Sequence, residues 1–183
     1  MLYKLPKLKN TKNCILAFDP GSVNMGISLV QMYKGKPRVL ANATMTSPIH
    51  DILLFQKQKD AFLKEVRAWK RYCPRAIIAE RFQSRGLRGS TVECVSMMLG
   101  ILGMLNLPVK FITASTWKNK YQRRYGCHLK RDIYKNIKTT PHQLDASLIG
   151  CYGLEIAYSK DIDFSLQDII KMVEKTALNG KKK

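Results

Sequence analysis

Three acids in this chain stand where a reactive group would have to stand. Ile15 to Phe18 is an unbroken apolar run too short for a helix, so it reads as a buried strand, and it stops at Asp19. Ala76 to Ala79 repeats the arrangement and stops at Glu80. Later, T-P-H-Q reads as a capping box, with Thr140 as N-cap, Pro141 at the first helical position and Gln143 three past the cap. A helix starting there carries His142 and Asp145 three apart on one face. A lone D-P-G is as a rule a turn; Glu80 and Asp145 set Asp19 apart from that rule. Carboxylates converging from separate elements repel one another without a cation between them, and hard oxygen donors suit Mg2+ or Mn2+. Two such ions roughly 4 Å apart can activate a water and neutralise the leaving oxygen of a phosphodiester. Asp19, Glu80 and Asp145 are therefore candidate metal ligands, and Lys118 a candidate to stabilise charge on the phosphate.

Positioning these groups takes a particular set of elements. Pro20, Gly21, Ser22 and Asn24 are turn residues and Gly26 opens a second apolar run, Ile27 to Val30, so the chain returns as a hairpin. After a turn at Lys34 to Lys36, Pro37 to Met45 alternates Val39, Ala41 and Ala43 with more polar neighbours, which makes three antiparallel strands. From Pro48 to Tyr72 the period becomes helical, with Phe62, Leu63, Val66 and Trp69 on one face and Lys57, Lys59, Lys64 and Arg67 on the other. Pro74 ends that helix. The strand reaching Glu80, laid parallel beside the first, would put Asp19 and Glu80 at neighbouring carboxyl ends. A helix capped by Ser90 runs from Thr91 to Asn106 and is greasy on more than one face, which predicts packing against the sheet and against a second copy. Pro108 leads into a fifth strand, Val109 to Thr113, and helices follow over Ala114 to Tyr125, Leu129 to Ile137, the capped segment and Ser165 to Leu178. Small Ala146 is expected to let the capped helix approach the sheet closely.

The composition names a partner. Among 183 residues, 32 Lys and Arg face 13 Asp and Glu, a formal charge of +19 that suits a polyanion. Eight basic residues and one acid lie between Lys118 and Lys138, among them Lys120, Arg123, Arg124, Lys130 and Arg131, interleaved with Trp117, Tyr121, Tyr125 and Tyr134. Charge plus stacking rings suggests nucleic acid. Arg81 to Gly89 is a basic loop with Phe82, Arg85 and Arg88. The length suits one domain over 13–178, with a basic extension at 1–12 and a basic tail at 179–183. Five cysteines without C-x-x-C spacing read as free thiols of a reducing compartment. Neither a signal peptide nor a bilayer-spanning run is visible, so the sequence reads as soluble and intracellular.

The order strand-DPGSxNxG, three-stranded meander, helix, strand ending in Glu, helix, strand and late H-x-x-D-A helix resembles the ribonuclease H-like superfamily, and within it the RuvC family of Holliday junction resolvases. The resemblance covers roughly Cys14 to Ala157, and the small size and basic ends are most similar to phage and viral members. It implies an α/β fold with a mixed five-stranded sheet, its first three strands antiparallel, flanked by helices. It implies a homodimeric endonuclease that nicks four-way DNA junctions symmetrically with Mg2+ or Mn2+. Asp19, Glu80 and Asp145 match three acidic positions of the family, and His142 stands at the fourth, where many members have aspartate. A-S-T-W-K and G-C-H-L-K are similar to the family's lysine segments, which carries over Lys118 and Lys130, and Phe82 lies near the family's junction-inserting aromatic.

Other readings stay open at this point. One is a monomeric ribonuclease H-like nuclease for RNA or a debranching nuclease for DNA; another is a silent nucleic-acid-binding module. The D-x-G signature also occurs in the actin and sugar-kinase superfamily, which needs two copies of its fold where this chain has room for one.

Overall fold

β1 (Cys14–Asp19), β2 (Asn24–Tyr33), β3 (Lys36–Thr46), β4 (Pro74–Glu80) and β5 (Val109–Ile112) form one mixed sheet in the order β3-β2-β1-β4-β5. The structure, a computed structural model, describes residues 14–21, 24–46, 60, 63–64, 66–82 and 90–179. β1 pairs antiparallel with β2 and β2 with β3, while β4 lies parallel to β1 and to β5. The β2–β3 hairpin closes through Lys34 and Gly35, both at positive φ (48° and 78°), the two-residue loop whose twist matches its strands.

The central strand is uniformly apolar because both of its faces are covered. Ile15 and Ala17 belong to one cluster with Val30, Ile78, Trp117, Leu144, Leu148 and Ile169. Cys14, Leu16 and Phe18 belong to the other with Ile27, Ile77, Leu63, Val66, Trp69 and Leu102. Leu63, Val66 and Trp69 are thus on the buried side of their helical segment and Lys64 and Arg67 on the exposed side, as their spacing predicts, while Lys57, Lys59 and Phe62 lie outside the described residues.

Besides the partly described helical segment before Trp69, the described residues include α1 (Ser90–Gly103), α2 (Ala114–Tyr125), α3 (Pro141–Tyr158) and α4 (Leu166–Asn179). The α3 start is capped as expected: Thr140 Oγ1 accepts from the Gln143 N–H and the Gln143 side chain accepts from the Thr140 N–H. One expectation is corrected. The helix expected over Leu129 to Ile137 is a single π-turn, Leu129–Ile133, because the Asp132 carboxylate takes the His128 N–H and Tyr134 N–H reaches back to the Leu129 carbonyl. On α1 the side chains of Met97, Met98 and Ile101, which bear on its expected second apolar face, lie outside the described residues. Leu102 is in the core, and the exposed positions among those described are Glu93, Ser96, Gly100 and Gly103.

α3 lies against the sheet closely enough that side chains would not fit at the contact. A Cβ on Gly150 would stand 2.5 Å from Val30 Cγ2, and one on Gly26 would stand 1.9 Å from the His142 carbonyl oxygen. Ala146 is fully buried as well, but these two glycines set the approach. Gly26→Ala is expected to lift the first turn of α3 off β2, at about 1–3 kcal/mol of overpacking cost, and to lower any activity that needs His142 beside Asp19. Thermal melts and activity of the purified variant check this; a variant with unchanged melting temperature would contradict it.

Cys14, Cys73, Cys127 and Cys151 are free thiols. Among the described residues no helix is long and apolar enough to cross a membrane. The basic extension 1–12 and nearly all of the basic tail lie outside the described residues.

Candidate active site

Strand parity brings the acids together. Side chains alternate across a sheet, so Asp19 follows Ile15 and Ala17, and Glu80 follows Ala76 and Ile78, onto the face that α3 covers. The parallel register matches Phe18 with Ala79, which puts the two acids side by side at the carboxyl ends of β1 and β4. β2 contributes Gly26 as the antiparallel partner of Asp19, and over that bare position rests the first turn of α3. His142 and Asp145 therefore descend onto Asp19 from above.

Each carboxylate has a dedicated partner. Asp19 Oδ2 lies 2.7 Å from His142 Nδ1. The Trp117 indole N–H donates to Glu80 Oε2 at 2.8 Å. Asp145 accepts from the Tyr134 hydroxyl on Oδ1 and pairs with Lys118 Nζ at 3.0 Å on Oδ2. Lys118 also lies over the Trp117 ring, 4.9 Å from its centroid. Adjacent residues at the start of α2 thus reach two different acids.

Burial and neighbouring charge shift several of these groups. Burial, then the charge of Asp19, pushes the Asp145 carboxyl up to about 7, even though Lys118 and the Tyr134 hydroxyl pull the other way. Burial works against the Lys118 ammonium, yet Asp145, Glu80 and Asp19 together outweigh it and raise its pKa. The ion pair therefore secures the lysine better than the aspartate. Asp19 raises the His142 pKa through their hydrogen bond. Burial and the neighbouring carboxylates keep the Tyr134 phenol protonated, its pKa far above the ordinary tyrosine value.

Three carboxylates and an imidazole form a donor set whose chemistry suits a hard divalent cation. Among the described residues no three His, Cys, Asp or Glu side chains are grouped tightly enough to hold an ion as they stand. Their oxygens are engaged by Lys118, Tyr134, Trp117 and His142, so a cation would have to draw the acids inward against those contacts.

The expected nucleic-acid residues divide. Arg81, Arg123, Lys130 and Arg131 are exposed and Phe82 is half-buried, while Arg85 and Arg88 lie outside the described residues. Arg131 pairs with its neighbour Asp132 at 2.6 Å. Lys120 and Arg124 both pair with buried Glu155, at 2.8 Å and 2.7 Å, while keeping part of their side chains in water, and Arg124 also donates to the Ile162 carbonyl. The aromatic rings are corrected. Trp117 and Tyr121 are 0% exposed, and the Tyr125 hydroxyl donates to the Phe164 carbonyl, so these rings are core and not a stacking platform. Sequence reasoning missed Tyr134 and Trp117 as partners of the acids, and Glu155 altogether. The lone acid in the apolar stretch Leu148 to Ala157 was the available signal for Glu155.

No protein-family model and no curated protein matches the chain. Solved structures match the fold. Thermus thermophilus RuvC in complex with a Holliday junction substrate is 17% identical with a TM-score of 0.56, over 80% of this chain and 92% of that one. A second structure of RuvC from the same organism is 16% identical with a TM-score of 0.54, over the same shares of the two chains. The fold is thus the ribonuclease H-like fold of RuvC.

Proposed function

We propose that this protein is a divalent-metal-dependent endonuclease that resolves four-way DNA junctions as a homodimer. The observation that carries the reading is the meeting of Asp19, Glu80, His142 and Asp145, supplied by two strands and a capped helix, beside Lys118 in the fold that RuvC has. A divalent ion held by Asp19, Glu80, Asp145 and His142 would supply charge neutralisation and an activated water for phosphodiester hydrolysis. The chain's own residues do the rest. Lys118, released from Asp145, would meet negative charge on the phosphate, and the sheet behind the acids excludes water from one side of the site. Exposed Arg81, Arg123, Lys130 and Arg131, with Arg85 and Arg88, would contact the backbone of the junction arms, and Phe82 would stack at an opened base. The excess of basic residues favours such a substrate and makes its binding fall steeply with salt. The dimer would form on the outward side of α1, where Gly100 and Gly103 permit close approach of a second helix.

The deciding experiment maps cuts on an immobile four-way junction, a fork, a duplex and an RNA hairpin, with Mg2+ and with Mn2+, alongside light scattering of the protein and its junction complex. Paired symmetric nicks confined to the junction, made by a dimer, are expected. Cutting of RNA or of all DNA forms alike, or a monomer on the junction, would replace this reading with a less selective nuclease.

Histidine in place of a fourth carboxylate has its own consequence. Imidazole is the softer donor, so wild type is expected to favour Mn2+ over Mg2+ relative to His142→Asp. The ratio of cleavage rates in the two metals measures this directly, and an unchanged ratio removes His142 from the ligand set.

A further inference from the structure

We propose that Cys14 and Cys73 are an oxidisable pair that closes into a reversible disulfide when the protein meets a peroxide. Far apart in sequence, they meet where β1 and β4 begin. Cys14 is the strand partner of Pro74, the residue that follows Cys73. The Cys14 thiol donates to the Tyr72 carbonyl at 3.1 Å, and that carbonyl belongs to the peptide unit that ends at the Cys73 Cα. Its sulfur therefore sits against the backbone that carries Cys73. Neighbouring strands lie about 4.8 Å apart, and a disulfide needs Cα atoms about 4.4–6.8 Å apart. The ladder is also irregular here, its register jumping from Pro74 to Ala76 between Cys14 and Ile15, which gives the backbone room to adjust.

The surroundings of the two thiols divide their roles. Cys73 is exposed and stands at φ 54°, a left-handed conformation that glycine takes freely and other residues resist. Cys14 is wholly enclosed, and burial, then the neighbouring Cys73, pushes its thiol up to about 12. A peroxide therefore meets Cys73 first. The Cys73 sulfur attacks one peroxide oxygen and the O–O bond breaks, which gives the Cys73 sulfenic acid and one water. The Cys14 sulfur then attacks the Cys73 sulfur, the S–O bond breaks, and the hydroxide departs as water with the Cys14 proton. Two electrons pass from the sulfurs to the peroxide, both peroxide oxygens end in water, and a reducing thiol reverses the bond. The disulfide ties the amino ends of the two strands whose carboxyl ends carry Asp19 and Glu80, so it clamps the scaffold without touching the acids. It requires neither metal nor DNA.

The test treats the full chain with hydrogen peroxide, caps the remaining thiols with iodoacetamide and maps peptides without reduction, with thermal melts before and after. A Cys14–Cys73 cross-linked peptide is expected, lighter by two hydrogens than its two parts together and lost on treatment with dithiothreitol. The melting temperature is expected to rise by roughly 5–10 °C on oxidation and to fall back on reduction, because the bond closes a long loop of the unfolded chain. Cys73→Ser is expected to abolish both effects; if that variant does not fold, wild type with its exposed thiols capped before the peroxide decides instead. Cys127→Ser removes a half-buried thiol elsewhere and is expected to change neither. Cys73 cross-linked to another cysteine, Cys73 driven to the sulfonic acid with Cys14 still a thiol, or a cross-linked protein that melts no higher than the reduced one overturns the inference.

Discussion

Asp19→Asn is expected to lose junction cleavage by roughly 10³-fold or more while keeping junction affinity. Asparagine has the shape of aspartate and can still meet His142, so the hairpin and the first turn of α3 have no reason to move. What disappears is one negative charge of the three that would hold a cation. A metal contributes several kcal/mol to the transition state of phosphodiester hydrolysis, and about 4 kcal/mol corresponds to a thousandfold in rate. Relief of repulsion should also help Asp145, whose carboxyl is pushed up second most strongly by the Asp19 charge. Binding is expected to hold or tighten, because the lost charge stood against the phosphate backbone. Single-turnover cleavage beside a gel-shift titration separates the two effects. Cleavage within tenfold of wild type would remove Asp19 from the centre of the chemistry.

The second large effect lies away from the acids. Glu155→Ala is expected to destabilise the protein by about 3 kcal/mol and to lower its melting temperature by roughly 6–12 °C. Glu155 is buried on α3 and accepts from Lys120, Arg124 and the Ile162 N–H, so it ties α2 and the segment after α3 to one point. Deleting one partner of such a network leaves charge stranded. The loss falls at the low end of the usual range because Lys120 and Arg124 keep 30% and 22% of their side-chain surface in water. Loosened α2 would also loosen Trp117 and Lys118, so cleavage should fail at a lower temperature than in wild type. A melting temperature within 2 °C of wild type would show that the network contributes little.

Much of the scaffold was legible from residue order alone. Short apolar runs ending in Asp19 and Glu80, the turn residues between strands and the capping box at Thr140 are local signals. Each depends on neighbours within a few positions, so β1 to β5, α3 and α4 could be placed without knowing the tertiary arrangement. The antiparallel meander and the parallel β1–β4 pair followed from chain connectivity. The convergence of Asp19, Glu80 and Asp145 was foreseeable for the same reason, since strand ends and a capped helix start are positions that local rules specify.

Only the tertiary structure decided which cations and rings were free. Lys120 and Arg124 have the same local signature as Arg123, yet α2 turns them toward Glu155 and leaves Arg123 in water. Trp117, Tyr121 and Tyr134 have the spacing of a stacking platform, yet Trp117 and Tyr121 are wholly buried and Tyr134 is half-buried against the same core, with Trp117 donating to Glu80 and Tyr134 to Asp145. Gly26 looked like the opening of a strand; its role emerges when the His142 carbonyl lies against it from more than a hundred residues away. Sequence patterns record which side of an element is apolar, whereas pairing between distant side chains depends on how the elements are docked, and docking is settled by long-range packing that no local window contains.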